Sequence, residues 1–136
     1  MTDINDTLAS IKNEFSIFTD TRDKYVYLVD LAKDTTGLPL QYQVEKNRIY
    51  GCTSQAWIIK DKNGDSFSFR TDSDAMIVKG LLSLIERTFN GHSKEEILTV
   101  NGSQFLNSVG LGNAISSQRT NGFASAIRKI QTELLN

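Results

Sequence analysis

Two β-prone runs lie close together in the middle of this chain, and helical periodicity lies on both sides of them. Ala56-Trp57-Ile58-Ile59 is rich in strand formers, and Ser66-Phe67-Ser68-Phe69-Arg70 alternates polar and apolar residues. Between them, Asp61-Lys62-Asn63-Gly64-Asp65 contains an Asn-Gly pair, which tolerates the positive φ angles of a tight hairpin. A shorter β-prone piece, Arg48-Ile49-Tyr50, comes just before. The order predicts a meander of three antiparallel strands with Phe67 and Phe69 on its buried face. Strands gathered into one block between helices point to an α+β fold and away from alternating βαβ units.

The flanks carry the helical period. Ile4, Leu8, Ile11, Phe15 and Phe18 recur at steps of four and three, an amphipathic stripe over about residues 3 to 18. A second helix is expected over about residues 22 to 34, with Tyr25, Leu28, Val29 and Ala32 inward, until Gly37 and Pro39 break it. After the strands, Ser73 is a candidate N-cap with Asp74 in the first turn of its helix, where a carboxylate favours the dipole. Ile77, Leu81, Leu84, Ile85 and Phe89 give this helix its apolar face, and Asn90-Gly91 closes it. Ser93-Lys94-Glu95-Glu96 reads as a capping box opening a short helix. Another short helix is expected over residues 103 to 108, a turn at Gly110 and Gly112, and a last helix from about Ser117 to Leu135.

At 136 residues the chain is long enough for one domain with its own core, covering residues 1–136. Fifteen basic against sixteen acidic residues provide no general positive field for nucleic acid or an anionic membrane. The apolar runs are far shorter than the roughly 20 residues a membrane span needs. The start, Met1-Thr2-Asp3-Ile4-Asn5, lacks a basic segment followed by an apolar block, so it does not read as a secretory signal. One cysteine makes no internal disulfide, and a reducing cytosol is the expected setting.

That cysteine, Cys52, stands in Gly51-Cys52-Thr53-Ser54-Gln55-Ala56-Trp57, beside the only tryptophan. A free cysteine often packs as a small buried hydrophobe. Here the surroundings lack the period of a buried strand, and Gly51 lets the backbone turn sharply. The neighbouring hydroxyls and amides are expected to favour the thiolate. A structural zinc takes four ligands, and this chain has one cysteine and one histidine, so no metal site is expected. A cysteine hydrolase would need His92, which reads as a solvated loop residue after Gly91. A disulfide relay would need a second thiol. What remains is chemistry that one thiol performs alone: accepting a group, holding it as a persulfide and passing it on.

Three blocks of sequence carry a family resemblance: Gly51-Cys52-Thr53-Ser54-Gln55-Ala56-Trp57, then Ser73-Asp74-Ala75-Met76-Ile77-Val78-Lys79-Gly80-Leu81, then Ile115-Ser116-Ser117-Gln118-Arg119-Thr120-Asn121-Gly122-Phe123. In this order and spacing they resemble the SufE family of sulfur-acceptor proteins, which includes the similar CsdE proteins. The resemblance implies an α+β fold of the SufE/NifU type, a small three-stranded antiparallel sheet flanked by helices. It implies that a SufS/CsdA-like cysteine desulfurase, with its own pyridoxal phosphate, is the partner. Cys52 then takes sulfane sulfur from that enzyme's persulfide and passes it to an iron–sulfur cluster scaffold, with no cofactor on this chain. Thr53, Ala56 and Gln118 depart from the family pattern, which bears on loop structure and partner choice.

Gly51, Ser54, Gln55, Asp74 and Arg119 are the candidate supporting or partner-binding residues around Cys52. Gln55 can bond the loop or the partner. Arg119 is a cation near the start of the last helix, where the dipole does not favour it. Trp57 is expected in the core, and Gly80 is expected to allow close helix packing. The protein would act as a monomer or homodimer in the cytoplasm. The rival readings are a binding module with a structural Cys52, and a Cys52–His92 hydrolase.

Overall fold

The computed structural model describes residues 3–135, and its helices fall close to where the periodicity puts them. Helix α1 (Ile4–Ser16) begins at Asp3, whose carboxylate accepts the Asn5 N–H at 2.8 Å. It buries Ile4, Ile11 and Phe15, with Leu8 packed against the core. Helix α2 (Thr21–Lys33) is capped by Asp20 and buries Leu28 and Ala32. Tyr25, expected inward, is exposed. It lies one turn before Leu28, in the first half of α2, and Tyr27 is the ring that packs instead, edge-on to Phe15 at 5.2 Å.

The sheet has three antiparallel strands in the order β1 (Ala56–Asn63), β2 (Ser66–Ser73) and β3 (His92–Ser93). The hairpin between β1 and β2 is as expected, although Asn63 ends β1 and the two-residue turn is Gly64-Asp65, with Gly64 at φ 65°. The expected first strand is not one. Arg48 makes a single bridge to Trp57, and the Ile49 N–H donates to the Ala56 carbonyl at 2.8 Å. The chain then swings away at Gly51, whose φ of 95° ends any extended run.

The third strand comes instead from beyond the next helix. His92 pairs with Phe67 and Ser93 with Ser66. Asn90 extends this edge with its side chain, accepting the Phe69 N–H at 2.6 Å and donating to the Phe69 carbonyl at 3.3 Å. A strand of two residues has no period to detect, which is why the sequence pattern does not announce it.

Helix α3 (Met76–Phe89) starts later than its sequence signal. Ser73 belongs to β2, and Asp74 precedes the helix rather than sitting in its first turn. The helix is buried on most sides, from Ile77 through Phe89. A helix apolar nearly all round sits inside a core. Its tightest contact is at Gly80, where an added Cβ would lie 2.1 Å from the Leu28 carbonyl oxygen of α2. Helix α4 (Lys94–Leu98) opens with the expected capping box of Ser93 and Glu96. Helix α5 (Phe105–Ser108) is short, and the long helix α6 (Ser117–Leu135) completes the layer around the sheet. Among the described residues no helix is long and apolar enough to cross a membrane.

Candidate functional site

The loop that bears Cys52 is pinned at both ends. At one end the Arg48–Trp57 bridge and the Ile49–Ala56 bond bring its two stems together. At the other, Gln55 is held by the backbone and side chains that follow β2. The Gln55 N–H donates to the Asp74 carboxylate at 3.0 Å, and the Asp74 N–H donates to the Gln55 carbonyl at 3.1 Å. The Ser73 hydroxyl donates to the same carbonyl at 2.7 Å and accepts the Ala75 N–H at 3.2 Å. Asp74 is therefore a clamp on the loop, and the main chain of Gln55 is what it clamps. The Gln55 side chain stays at an exposed position. Ser54 is half-buried between the clamp and the thiol.

Gly51 and Gly122 shape the space that Cys52 fills. A Cβ on Gly51 would meet the Ser125 hydroxyl of α6 at 2.7 Å. A Cβ on Gly122 would meet the Cys52 sulfur at 2.9 Å and the Gly51 carbonyl at 3.3 Å. The loop lies on α6 where two glycines remove side chains, and Cys52 points into the gap.

The gap is a small hollow walled by Val78, Leu81 and Leu82 of α3 and by Phe123 of α6, with Thr53, Gln118 and Arg119 also lining it. Its volume of about 20 Å³ is room for one water-sized group. Cys52 is half-buried there, and burial pushes its thiol above the ordinary value. This corrects the expectation that the loop's own hydroxyls and amides favour the thiolate. Loss of solvent is the effect that prevails, and it disfavours the thiolate.

Arg119 is the third residue of α6, and its N–H donates to the Ser116 hydroxyl at 3.3 Å. It lines the thiol hollow, so the structure does bring it to Cys52. His92 is not brought there. It is 4% exposed, pairs with Phe67 in β3, and its Nδ1 lies 2.9 Å from the Glu96 carboxylate. The solvated-loop reading of His92 is overturned, and so is the Cys52–His92 hydrolase, because the histidine is held by another element. Among the described residues no group of three or more histidine, cysteine or acidic side chains is placed to hold a metal.

Sequence reasoning missed Gly122 as part of the site. Its signal was a glycine inside a long helix, where it costs about 1 kcal/mol against alanine and so marks a close approach. Thr53 and Gln118, two of the departures from the family pattern, both line the hollow.

Comparison with known proteins identifies the family of the chain. The family model described as "SufE: Fe-S metabolism associated domain" matches residues 9–134. An uncharacterized SufE-like protein of Rhizobium etli is 33% identical over 131 residues, covering 93% of this chain and 88% of that one. One of Rhizobium meliloti is 32% identical over 131 residues, covering 93% and 94%. A third, of Synechocystis sp., is 30% identical over 128 residues, covering 94% and 80%. The solution structure of a hypothetical protein from Thermus thermophilus superposes with a TM-score of 0.77 at 20% identity, covering 95% of this chain and 93% of that one, which bears on the fold alone. From the match along nearly its whole length, the chain belongs to the SufE family, whose domain is associated with iron–sulfur metabolism.

Proposed function

We propose that this protein is a sulfur acceptor and carrier, with Cys52 as the accepting atom and a cysteine desulfurase as the donor. The observation that carries the reading is the single thiol on a pinned, glycine-flanked loop at the surface of α6. The family's link to iron–sulfur metabolism supports the direction of the sulfur.

The step is a thiol–persulfide exchange. The Cys52 thiolate attacks the outer sulfur of the donor persulfide. A new S–S bond forms on Cys52 and the donor's S–S bond breaks, its electron pair leaving with the donor thiolate. The outer sulfur carries its own proton across, so the exchange has no net oxidation. The donor's pyridoxal phosphate belongs to the earlier step that makes the persulfide. The persulfide on Cys52 is then passed to an iron–sulfur scaffold.

The resting site is held back from this reaction. Burial disfavours the Cys52 thiolate, and the half-buried sulfur sits in a hollow with room for one water-sized group. Docking draws the thiol out of the hollow and returns it to solvent or to the donor's own dipoles, which restores the thiolate. Holding both sulfurs in one complex supplies the remaining acceleration.

Intact mass tests the reading. After incubation with a cysteine desulfurase, pyridoxal phosphate and cysteine, without reductant, the protein gains about 32 Da, one sulfur. Dithiothreitol removes the gain, and Cys52→Ser never shows it. A protein that binds the desulfurase yet gains no mass is a binding module with a structural cysteine.

A further inference from the structure

The face around the Cys52 loop is charged differently from the rest of the molecule. On α6, Arg119, Gly122, Ser125 and Lys129 recur at steps of three, three and four, which places them in one stripe. Arg119 and Gly122 line the thiol hollow. Ser125 faces Gly51 and accepts from the Arg128 guanidinium at 3.0 Å. The Lys129 ammonium donates to the Lys46 carbonyl at 3.5 Å. The stripe therefore runs beside the chain from Lys46 to Cys52, and Lys46 and Arg48 join the three cations of α6.

Three carboxylates accompany these five cations. Glu45 neighbours Lys46, Glu133 pairs with Lys129 at 2.8 Å, and Asp74 is engaged by the Gln55 N–H. Among the described residues, Lys46, Arg48, Arg119 and Arg128 have no carboxylate within ion-pair distance. The whole chain carries −1, so a face with more cations than anions leaves the remaining surface net acidic. Within this collar Tyr50 is 61% exposed, with the Arg48 guanidinium 5.6 Å from its ring centre.

We infer that this face docks a donor surface that carries carboxylates around its persulfide, with the cationic collar steering the approach and Tyr50 as the packed anchor. The inference rests on the sulfur-acceptor reading of Cys52. Four unpaired cations grouped beside the reacting atom attract an acidic surface over roughly a Debye length, about 8 Å at physiological salt. Such complementarity acts chiefly on the association rate. Tyrosine and arginine are the residues most enriched where interfaces hold tightest, and Tyr50 under Arg48 presents both.

The test measures binding apart from transfer, in a Cys52→Ser background, against a cysteine desulfurase of the same organism. The association rate falls roughly tenfold between about 20 and about 300 mM salt. Lys46→Glu with Arg128→Glu, both at exposed positions, slows association by about tenfold and flattens the salt dependence. Lys12→Glu with Lys33→Glu makes the same charge change on α1 and α2 and leaves the rate unchanged. Tyr50→Ala speeds dissociation and leaves association alone. Equal losses in the two double variants, or an association rate indifferent to salt, overturn the collar. Failure of the wild-type Cys52 to take up sulfur while the salt-dependent binding persists counts against the acceptor reading instead.

Discussion

At the scale of single residues, burial holds the Cys52 thiol toward its less reactive, protonated form. Burial raises the Cys52 pKa, and Arg119 lines the same hollow without offsetting it. The alkylation rate of native Cys52 by iodoacetamide should therefore rise with pH around a midpoint above that of the guanidine-unfolded chain. At pH 8 the native thiol should react more slowly than the unfolded one, since burial leaves it less thiolate. Equal rates would show that the thiol is already free of the hollow. Gly122 supplies the complementary test. In Gly122→Ala the new Cβ comes within 2.9 Å of the Cys52 sulfur, and the short side chain has to give way. Alanine gains about 1 kcal/mol in a helix over glycine, while overpacking costs about 1–3 kcal/mol. Stability thus changes modestly. Alkylation of the displaced thiol speeds up several-fold, and an unchanged rate would mean the glycine leaves no mark on the site.

At the scale of elements, the Cys52 loop is pinned by its stems and rests against α6. Asp74 and Ser73 place three hydrogen bonds on the main chain of Gln55. Asp74→Ala removes the carboxylate bond alone and should cost about 1 kcal/mol. Hydrogen exchange at the Gln55 amide should accelerate while amides of α3 stay protected. Uniform acceleration across the chain would mean that Asp74 holds the fold and not the loop. Gly80 shows the opposite kind of element contact, one with no freedom at all. Gly80→Ala drives a Cβ to 2.1 Å from the Leu28 carbonyl, a backbone atom that cannot swing aside. Separating α2 from α3 should cost at least the roughly 3 kcal/mol of severe overpacking, read as a fall in the urea midpoint. These contacts also explain what the sequence could and could not tell. Helices α1, α2, α4 and α6 carry their own period or cap, so they are legible from neighbours in sequence. The third strand is not, because His92 and Ser93 are extended only by pairing with Phe67 and Ser66. Asp74 and Ser73 looked like the start of a helix because their cap chemistry is local, yet both are spent on Gln55, 18 to 19 residues back along the chain. Cys52 was legible as a loop thiol, but its protonation depends on α3 and α6 walls that no local pattern reveals.

At the scale of the whole molecule, two carboxylates couple the packing of the helices to pH in opposite directions. Glu14 of α1 and Arg87 of α3 form an ion pair, and Tyr27 of α2 donates to Glu14 at 2.8 Å. Three helices thus meet at one carboxylate. The Arg87 hydrogen bond holds Glu14 below the ordinary carboxylate value, ahead of the opposing effect of burial. A lowered folded pKa gives stability that is present above the unfolded value and lost as pH falls through the folded one. Glu86, one residue before Arg87, behaves the other way. Burial raises its pKa even though it accepts from the Thr71 hydroxyl. Its charged form is the strained one, so the folded state gains relative to the unfolded as pH falls through that raised value, and loses above it. Glu14→Gln should therefore destabilise at pH 7, by no more than about 1 kcal/mol because the pair is partly open to solvent, and its penalty should shrink as pH falls through the lowered folded value. Glu86→Gln keeps an acceptor for Thr71 and removes the buried charge, so it should be neutral or stabilising at pH 7. Urea midpoints of the two variants across pH 2 to 8 read both curves. The wild type should lose stability on acidification in step with Glu14 and recover part of it through Glu86, and a Glu14→Gln penalty that persists unchanged at low pH would show that its contribution is packing against Tyr27 and not charge.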